Sequence, residues 1–502
     1  MKSFTLLLLF AIEMFSPIAA QSEQALKKQV RLSLEEIKSF VSIPNDANHP
    51  NDLDKNLGWL VNAFKGRGFS TRLLPTEGIP LFYAERLVSP DRPTLLIYMH
   101  FDGQSVDRSK WDQEDPYKVV LKAPSEGGWV ERPWSDLNKE IQEDWRIYGR
   151  STSDDKGPII MFLNAVDMIG YDGKEIPFNV KVILDGEEEK SSKPLPGAVQ
   201  RNKDLLKSDF LVINDGPVHP SEKPTLVFGC RGITSLTLTT FGPVVPQHSG
   251  HFGNYAPNPG FRLAHLLSGM KDEQGKVLIE GYYDGIELDR ETLDLLKEVP
   301  DDLDLIHGRL QIAQPEAVGA NYQESLQYPS LNIRGLSSGW VGNEARTIVP
   351  SSATAELDLR LVVESDGNRL KGLVRKYLES KGYKIVDEVP DKELRMKEPN
   401  IVLVKEGSVT DAFRTDLDDP YGIWLEKVLQ DSFKENVVKI RTMGGTVPIA
   451  PFINALDIPA FIVPLVNPDN NQHSPNENLK IGQITYGLKL FYGMLTTGYE
   501  PQ

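Results

Sequence analysis

The apolar run Leu95-Leu96-Ile97-Tyr98-Met99, closed by His100-Phe101-Asp102-Gly103, predicts a buried strand over Thr94 to Met99 that runs out into a polar turn. The same pattern recurs at Phe178 to Leu184, Asp209 to Ile213 and Phe461 to Val466. Segments with apolar residues at helical spacing surround these strands: Gln24 to Val41, Asp54 to Phe64, Pro158 to Met168 with proline in its first turn, Tyr421 to Phe433 and Ile481 to Leu495. Strands alternating with helices define an α/β sheet. The stretch from Trp111 to Tyr148, rich in Asp, Glu, Pro and Trp, reads as a surface loop, and Lys190 to Pro196 as another.

The pattern changes near Gly232. Ile233 to Thr240 and Ala353 to Val363 alternate apolar with polar residues, as strands with one wet face do. Phe261 to Leu267 and Asp366 to Lys381 fit helices, the second closed by Gly382, and Tyr383 to Val386 reads as the last strand of this part. A separate two-layer α+β domain over residues 232–412 therefore interrupts an α/β domain built from residues 21–231 and 413–502. Residues 1–20 are set aside. Lys2, the apolar Phe4 to Ile12 and Pro17-Ile18-Ala19-Ala20 form the pattern of a secretory signal peptide, which predicts export to a periplasm or the outside. No other stretch is apolar and long enough to cross a bilayer, so no membrane partner is expected after cleavage.

Composition narrows the classes. A chain of 502 residues with 40% hydrophobic and 25% charged residues is a soluble globular protein of two or more domains. Its net charge of -16 argues against a nucleic-acid partner, which needs a basic face. Cys230 is the single cysteine, so no intrachain disulfide forms; its strand-and-turn surroundings read as those of a buried structural thiol.

Candidate chemistry sits where the predicted strands end. His100 is followed two residues later by Asp102, a carboxylate able to hold the second ring nitrogen of a metal-bound imidazole. Asp154 and Asp155 precede a helix, where they also read as N-caps. Glu187-Glu188-Glu189 ends another strand and also reads as a solvated acidic loop. Asp215 and His473 end two more. Two imidazoles with several carboxylates suit a pair of divalent ions, one carboxylate bridging them, with a spare carboxylate to move a proton.

The ordered set HFD, GRSTSDDKG, LDGEEE, INDG and QHSPNE resembles the co-catalytic zinc metallopeptidases that include carnosinases, cytosolic dipeptidases, aminoacylases and succinyl-diaminopimelate desuccinylases. YPSLNIRG, ARTIVPSSATAELDLRLV and MGGTVP place the resemblance nearest the carnosinase and dipeptidase branch. It implies a phosphorylase/hydrolase-like catalytic domain with helices on both sheet faces, an inserted lid that makes a homodimer, and two divalent metal ions. Zinc is the first choice, with manganese or cobalt served by the same ligands. His100 and His473 match the terminal ligands, Asp154 the bridging carboxylate, and Glu189 and Asp215 the remaining ligands. Glu188 matches the general base and acid, and Asp102 the carboxylate behind His100. A shift of one residue would make Glu187 the base and Glu188 the ligand. A cis peptide is implied at Asp154-Asp155.

In the lid, His248 matches a histidine that polarises the scissile carbonyl from the neighbouring subunit; without the resemblance it is a surface-loop histidine. Thr347, Arg360 and Thr446 match substrate contacts, although Arg360 also reads as an exposed charge on an alternating strand. Ser151 and Lys190-Ser191-Ser192 replace glycine-containing family sequences beside the ligands, and His251 has no family role. The implied activity is hydrolysis of dipeptides or short peptides. An N-acyl-amino-acid amidohydrolase shares the same centre, and a silent metal- or peptide-binding relative shares the fold.

Overall fold

A computed structural model describes residues 17–447 and 449–500, with side chains from residue 23 onward. The expected leader lies outside the described residues except for Pro17–Ala20, which open the helix Pro17–Val41. That helix is longer than the expected Gln24 to Val41. No helix among the described residues is long and apolar enough to cross a membrane.

The main sheet has eight strands, in the order Ser70–Leu74, Leu81–Arg86, Asn179–Asp185, Thr94–His100, Phe210–Ile213, Ala460–Ile462, Thr225–Val227 and Val438–Ile440. Thr94–His100 runs parallel to Asn179–Asp185 and to Phe210–Ile213, and Ala460–Ile462 is parallel to Phe210–Ile213. Four central strands therefore end on the same edge, the place where parallel sheets collect ligands. Their side chains are buried on both faces, as the uninterrupted apolar runs require. On one face Ile97, Val182 and Val212 pack with Leu34 of the helix Pro17–Val41, Phe162 of Lys156–Tyr171, Leu425 of Pro420–Phe433 and Leu488 of Ile481–Thr496. On the other, Leu96, Tyr98, Ile183 and Leu211 meet Ala198 and Val199 of Leu195–Arg201 and Phe452 of Ala450–Leu456. Helices cover both faces, as the resemblance implies.

One expectation fails here. The stretch 111–148 is not a loop but supplies three strands, Val120–Ser125, Gly128–Arg132 and Arg146–Tyr148, to a four-stranded sheet completed by Asn478–Lys480. Pro124 interrupts the apolar pattern of the first strand, and Gly128–Arg132 is exposed at every position, so no alternation marks it.

The inserted sheet has the order Ser330–Ser337, Ser352–Leu361, Gly232–Phe241, Ile401–Glu406 and Lys384–Val386. Burial alternates along Gly232–Phe241 and Ser352–Leu361 as the period-two pattern dictates. Leu236, Leu238, Leu357 and Leu359 face Leu263 and Leu266 of the helix Pro259–Ser268 and Leu370, Val374 and Leu378 of Gly367–Ser380. The last strand is Ile401–Glu406, not Tyr383 to Val386. Its apolar run is short and does not alternate, because the strand is buried on both faces, Val402 and Val404 in one apolar cluster and Ile401 and Leu403 in another.

The chain enters and leaves this domain side by side. Gly229 and Cys230 pair with Arg414 and Phe413, and Ile233 bridges Thr410. A Cβ on Gly232 would fall 2.3 Å from the Thr410 carbonyl oxygen, so only glycine admits this approach. Cys230 is buried at the crossing, and burial pushes its thiol up to about 12, which keeps it protonated and inert.

Candidate metal centre

The four parallel strand ends and one helix start converge. His100 closes its strand fully buried, with Nδ1 3.2 Å from Asp102 Oδ1 and Nε2 2.8 Å from Asp154 Oδ1. Asp102 also accepts the backbone N–H groups of Glu188 and Glu189, at 3.3 and 3.1 Å, so one carboxylate orients both the imidazole and the glutamate turn. His473, at a φ of 60°, sits with Nε2 3.1 Å from Asp154 Oδ2 and 3.2 Å from Glu189 Oε2. Donor atoms of His100, Asp154 and Asp215 lie within 4.8 Å of one another, and so do those of Asp154, Glu189 and His473. Asp154 belongs to both groups. The sequence-predicted ligands are thus brought together as two triads sharing one carboxylate.

The N-cap reading of the aspartate pair fails. Asp155 occupies the position before the helix Lys156–Tyr171 but makes no capping bond; its Oδ2 accepts the His100 N–H at 3.3 Å. The Asp154-Asp155 peptide is cis. Ser151 and Ser191 adopt φ of 65° and 69°, a conformation that favours glycine, the residue that the resemblance implies there. Ser151 is held in it by Asn45, whose Nδ2 donates to Ser151 Oγ at 2.9 Å.

The electrostatics suit exogenous cations. Burial and the charge of Asp154 push Asp215 up to about 6 and Glu189 up to about 7. Burial, with Asp215 and Glu189 nearby, also raises Glu188 well above the usual carboxylate range. His473 rises to about 9, chiefly through Asp154; Asp154 is held low by the two imidazoles although burial opposes it. The chain's own neighbouring cations are committed elsewhere: Lys156 donates to the carbonyls of Phe40 and Ile43, and Arg150 pairs with Glu477. Asp154 Oδ2 is buried and accepts no hydrogen bond, since His473 Nε2, 3.1 Å away, lies off the line of one. Two imidazoles and crowded carboxylates with an unsatisfied oxygen at the shared position fit two divalent cations.

The three glutamates diverge. Glu187 turns away, its Oε2 accepting the Ile79 N–H at 2.9 Å, while Glu189 faces His473. Arg360 is not a free strand charge: its Nη1 donates to Thr446 Oγ1 at 2.8 Å, and Thr446 in turn donates to the Arg231 carbonyl at 2.6 Å, so these two predicted residues meet where the domains join. His248 and Thr347 lie together on the lid ribbon of Gln247–His248 and Ile348–Val349, both exposed. No hydrogen bond or ion pair among the described residues joins either to the cluster. Three supporting residues escape the sequence reading. Asp185 accepts from Tyr98 and from Ser192 and anchors the glutamate turn. Gln104 donates to Glu189 at 2.7 Å. Glu477 accepts the backbone N–H groups of Ser151, Ser153 and Asp154; its only sequence signal is its place four residues after His473.

Donors of this kind, gathered where parallel strands end, define a metal-dependent hydrolase. Residues 96–497 match the family model described as Peptidase family M20/M25/M40, and the chain belongs to that family. It is a metal-dependent peptidase. It is 28% identical over 428 residues to the Cys-Gly metallodipeptidase DUG1 of Candida albicans, covering 81% of this chain and 79% of the relative. It is 26% identical over 420 residues to the Beta-Ala-His dipeptidase of Homo sapiens, covering 82% and 76%. Among solved structures it is similar to the M20 family metallo-carboxypeptidase Sso-CP2 from Sulfolobus solfataricus, with a TM-score of 0.74, 27% identity and coverage of 92% and 98%.

Proposed function

We propose that the chain is an exported dipeptidase that works as a homodimer with two divalent ions, zinc first, held by His100, Asp154, Glu189, Asp215 and His473. The single observation that carries this reading is the pair of triads sharing Asp154. The named dipeptidase relatives support the substrate class. Bound there, the metals would supply Lewis acidity and a water of lowered pKa.

Glu188 is the base in this reading. Glu187 is engaged with Ile79 and Glu189 with His473, which leaves Glu188 as the glutamate of the turn whose side chain has no hydrogen bond or ion pair among the described residues. Its raised proton affinity suits a group that takes a proton from water and returns it to the leaving amine. Asp102 holds His100 and the turn bearing Glu188 in register. Arg360, with Thr446, offers a guanidinium to the substrate's terminal carboxylate. His248 and Thr347 reach the substrate from the partner's lid, where a donor at the developing oxyanion adds most. The homodimer is supported by the unpaired edge strand Ser330–Ser337 and by exposed Leu336, Trp340 and Val341 on the lid. Export rests on the pattern of residues 1–20.

The test of substrate class is an assay of metal-reconstituted protein on a dipeptide library and on N-acetyl amino acids. Dipeptides are expected to be cleaved. Turnover of N-acyl amino acids alone would make the protein an amidohydrolase, and dipeptide binding without turnover would make it a silent relative. His248→Ala is expected to slow turnover with both metals retained, and metal loss would contradict its place in the lid. Mixed with Glu188→Gln protein it should regain activity, because a mixed dimer unites an intact base with a partner's intact histidine. Absence of recovery places His248 in its own subunit's site or outside the reaction.

A further inference from the structure

Asp154 stands on the turn Gly149–Asp154, and His473 on the loop that leads to Asn478–Lys480. The two segments meet at one carboxylate. Glu477 is fully buried and forms an ion pair of 2.7 Å with the equally buried Arg150. Its Oε2 accepts the Ser151 N–H at 2.9 Å. Its Oε1 accepts the Ser153 N–H at 2.9 Å, the Ser153 hydroxyl at 2.8 Å and the Asp154 N–H at 3.0 Å. Its own carbonyl accepts the Gly149 N–H at 3.0 Å. The pairing of Asn478 with Tyr148 brings the two segments alongside, and beyond that ladder the turn is wrapped around an internal anion.

We propose that Glu477 is a positioning residue: with Arg150 it sets the turn that presents Asp154 to both ligand groups at once. The inference rests on reading the cluster as a two-metal centre. Buried N–H groups need acceptors, and those of Ser151, Ser153 and Asp154 converge on this side chain, so the backbone carrying the shared ligand takes its course from Glu477. Because Asp154 Oδ1 faces His100 and Oδ2 faces His473, a displaced turn disturbs both groups together. A residue that only supported the His473 loop would disturb one.

The test is Glu477→Gln, whose amide can replace one oxygen but sets a donor against Arg150 or against the turn. Metal-stripped protein is titrated with zinc in competition with a chromophoric chelator, beside wild type and His473→Ala. Glu477→Gln is expected to weaken both zinc equivalents by about tenfold or more, the usual scale for partners of metal ligands. Its kcat should fall with KM for a dipeptide kept within about threefold, whereas His473→Ala should weaken one equivalent. Wild-type affinity at both equivalents in Glu477→Gln, or weakening only of the one that His473→Ala loses, overturns the proposal. Should Glu477→Gln fail to fold, Ser153→Ala removes a single bond to Oε1 and is expected to show the same paired weakening at about threefold; unchanged zinc binding there overturns it equally. Wild type that takes up no zinc defeats the metal-centre reading itself, an outcome distinct from the others.

Discussion

Glu188→Gln is expected to lower kcat by between about a hundredfold and ten thousandfold, the range that a positioned proton carrier contributes, while keeping both metals. The substitution preserves shape and volume and removes only the capacity to carry a proton. Asp102 would still accept the backbone N–H groups of residues 188 and 189, so the turn should stay in place. Glu189 would still face His473. Metal content by elemental analysis and single-turnover rates on a dipeptide separate the two effects. Retained turnover would move the base to Glu187, whose carboxylate would then have to leave the Ile79 N–H. Loss of metal would make Glu188 a ligand instead.

Stripping the metals with a chelator is expected to abolish turnover and to leave a protein whose stability falls as pH rises. In the metal-free protein Asp215 and Glu189 are raised to about 6 and about 7, against about 4 in an unfolded chain. Their folded forms bind more protons, so stability falls as pH rises from about 4 through 7. His473, raised to about 9, contributes stability that is complete below the unfolded value near 6.5 and lost as pH rises through 9. Asp154 acts oppositely, since its lowered value gives stability that is lost only as pH falls below about 4. Between pH 5.5 and 8.5 the metal-free protein should therefore melt at progressively lower temperature. Metal binding displaces those protons, so the loaded protein gains affinity over the same interval and the two melting curves should separate as pH rises. Melting curves that stay parallel would show that these groups do not carry the cations. Add-back of zinc, manganese or cobalt identifies the ion that restores turnover.

Much of this architecture is legible in the sequence because the physics that makes it is local. A strand buried on both faces must be apolar throughout and can change character only where it leaves the sheet, so His100, Asp215 and the glutamate turn announce themselves. The period-two pattern of Gly232–Phe241 and Ser352–Leu361 announces the second sheet equally well. What escapes is set by pairing rather than by periodicity. Gly128–Arg132 is exposed on both faces and has no pattern to read. Ile401–Glu406 is a strand because neighbours flank it on both sides. Glu477 is only the last residue of the QHSPNE stretch until the turn 327 residues earlier in the chain is seen folded around it. Arg360 reads as a strand charge until Thr446 is placed beside it. Within Glu187-Glu188-Glu189 the three side chains are distinguished only by what each one meets.

The adjoining crossings at Gly229–Cys230 and Phe413–Arg414 bear on how such a chain diversifies. An excursion that departs and returns through neighbouring backbone positions behaves as a cassette. Recombination can lengthen, shrink or exchange it without rethreading the sheet beneath. The strand termini that bear the ligands are then insulated from that experimentation, and new preferences for what is cut can arise in the outer module while the inner one stays unaltered.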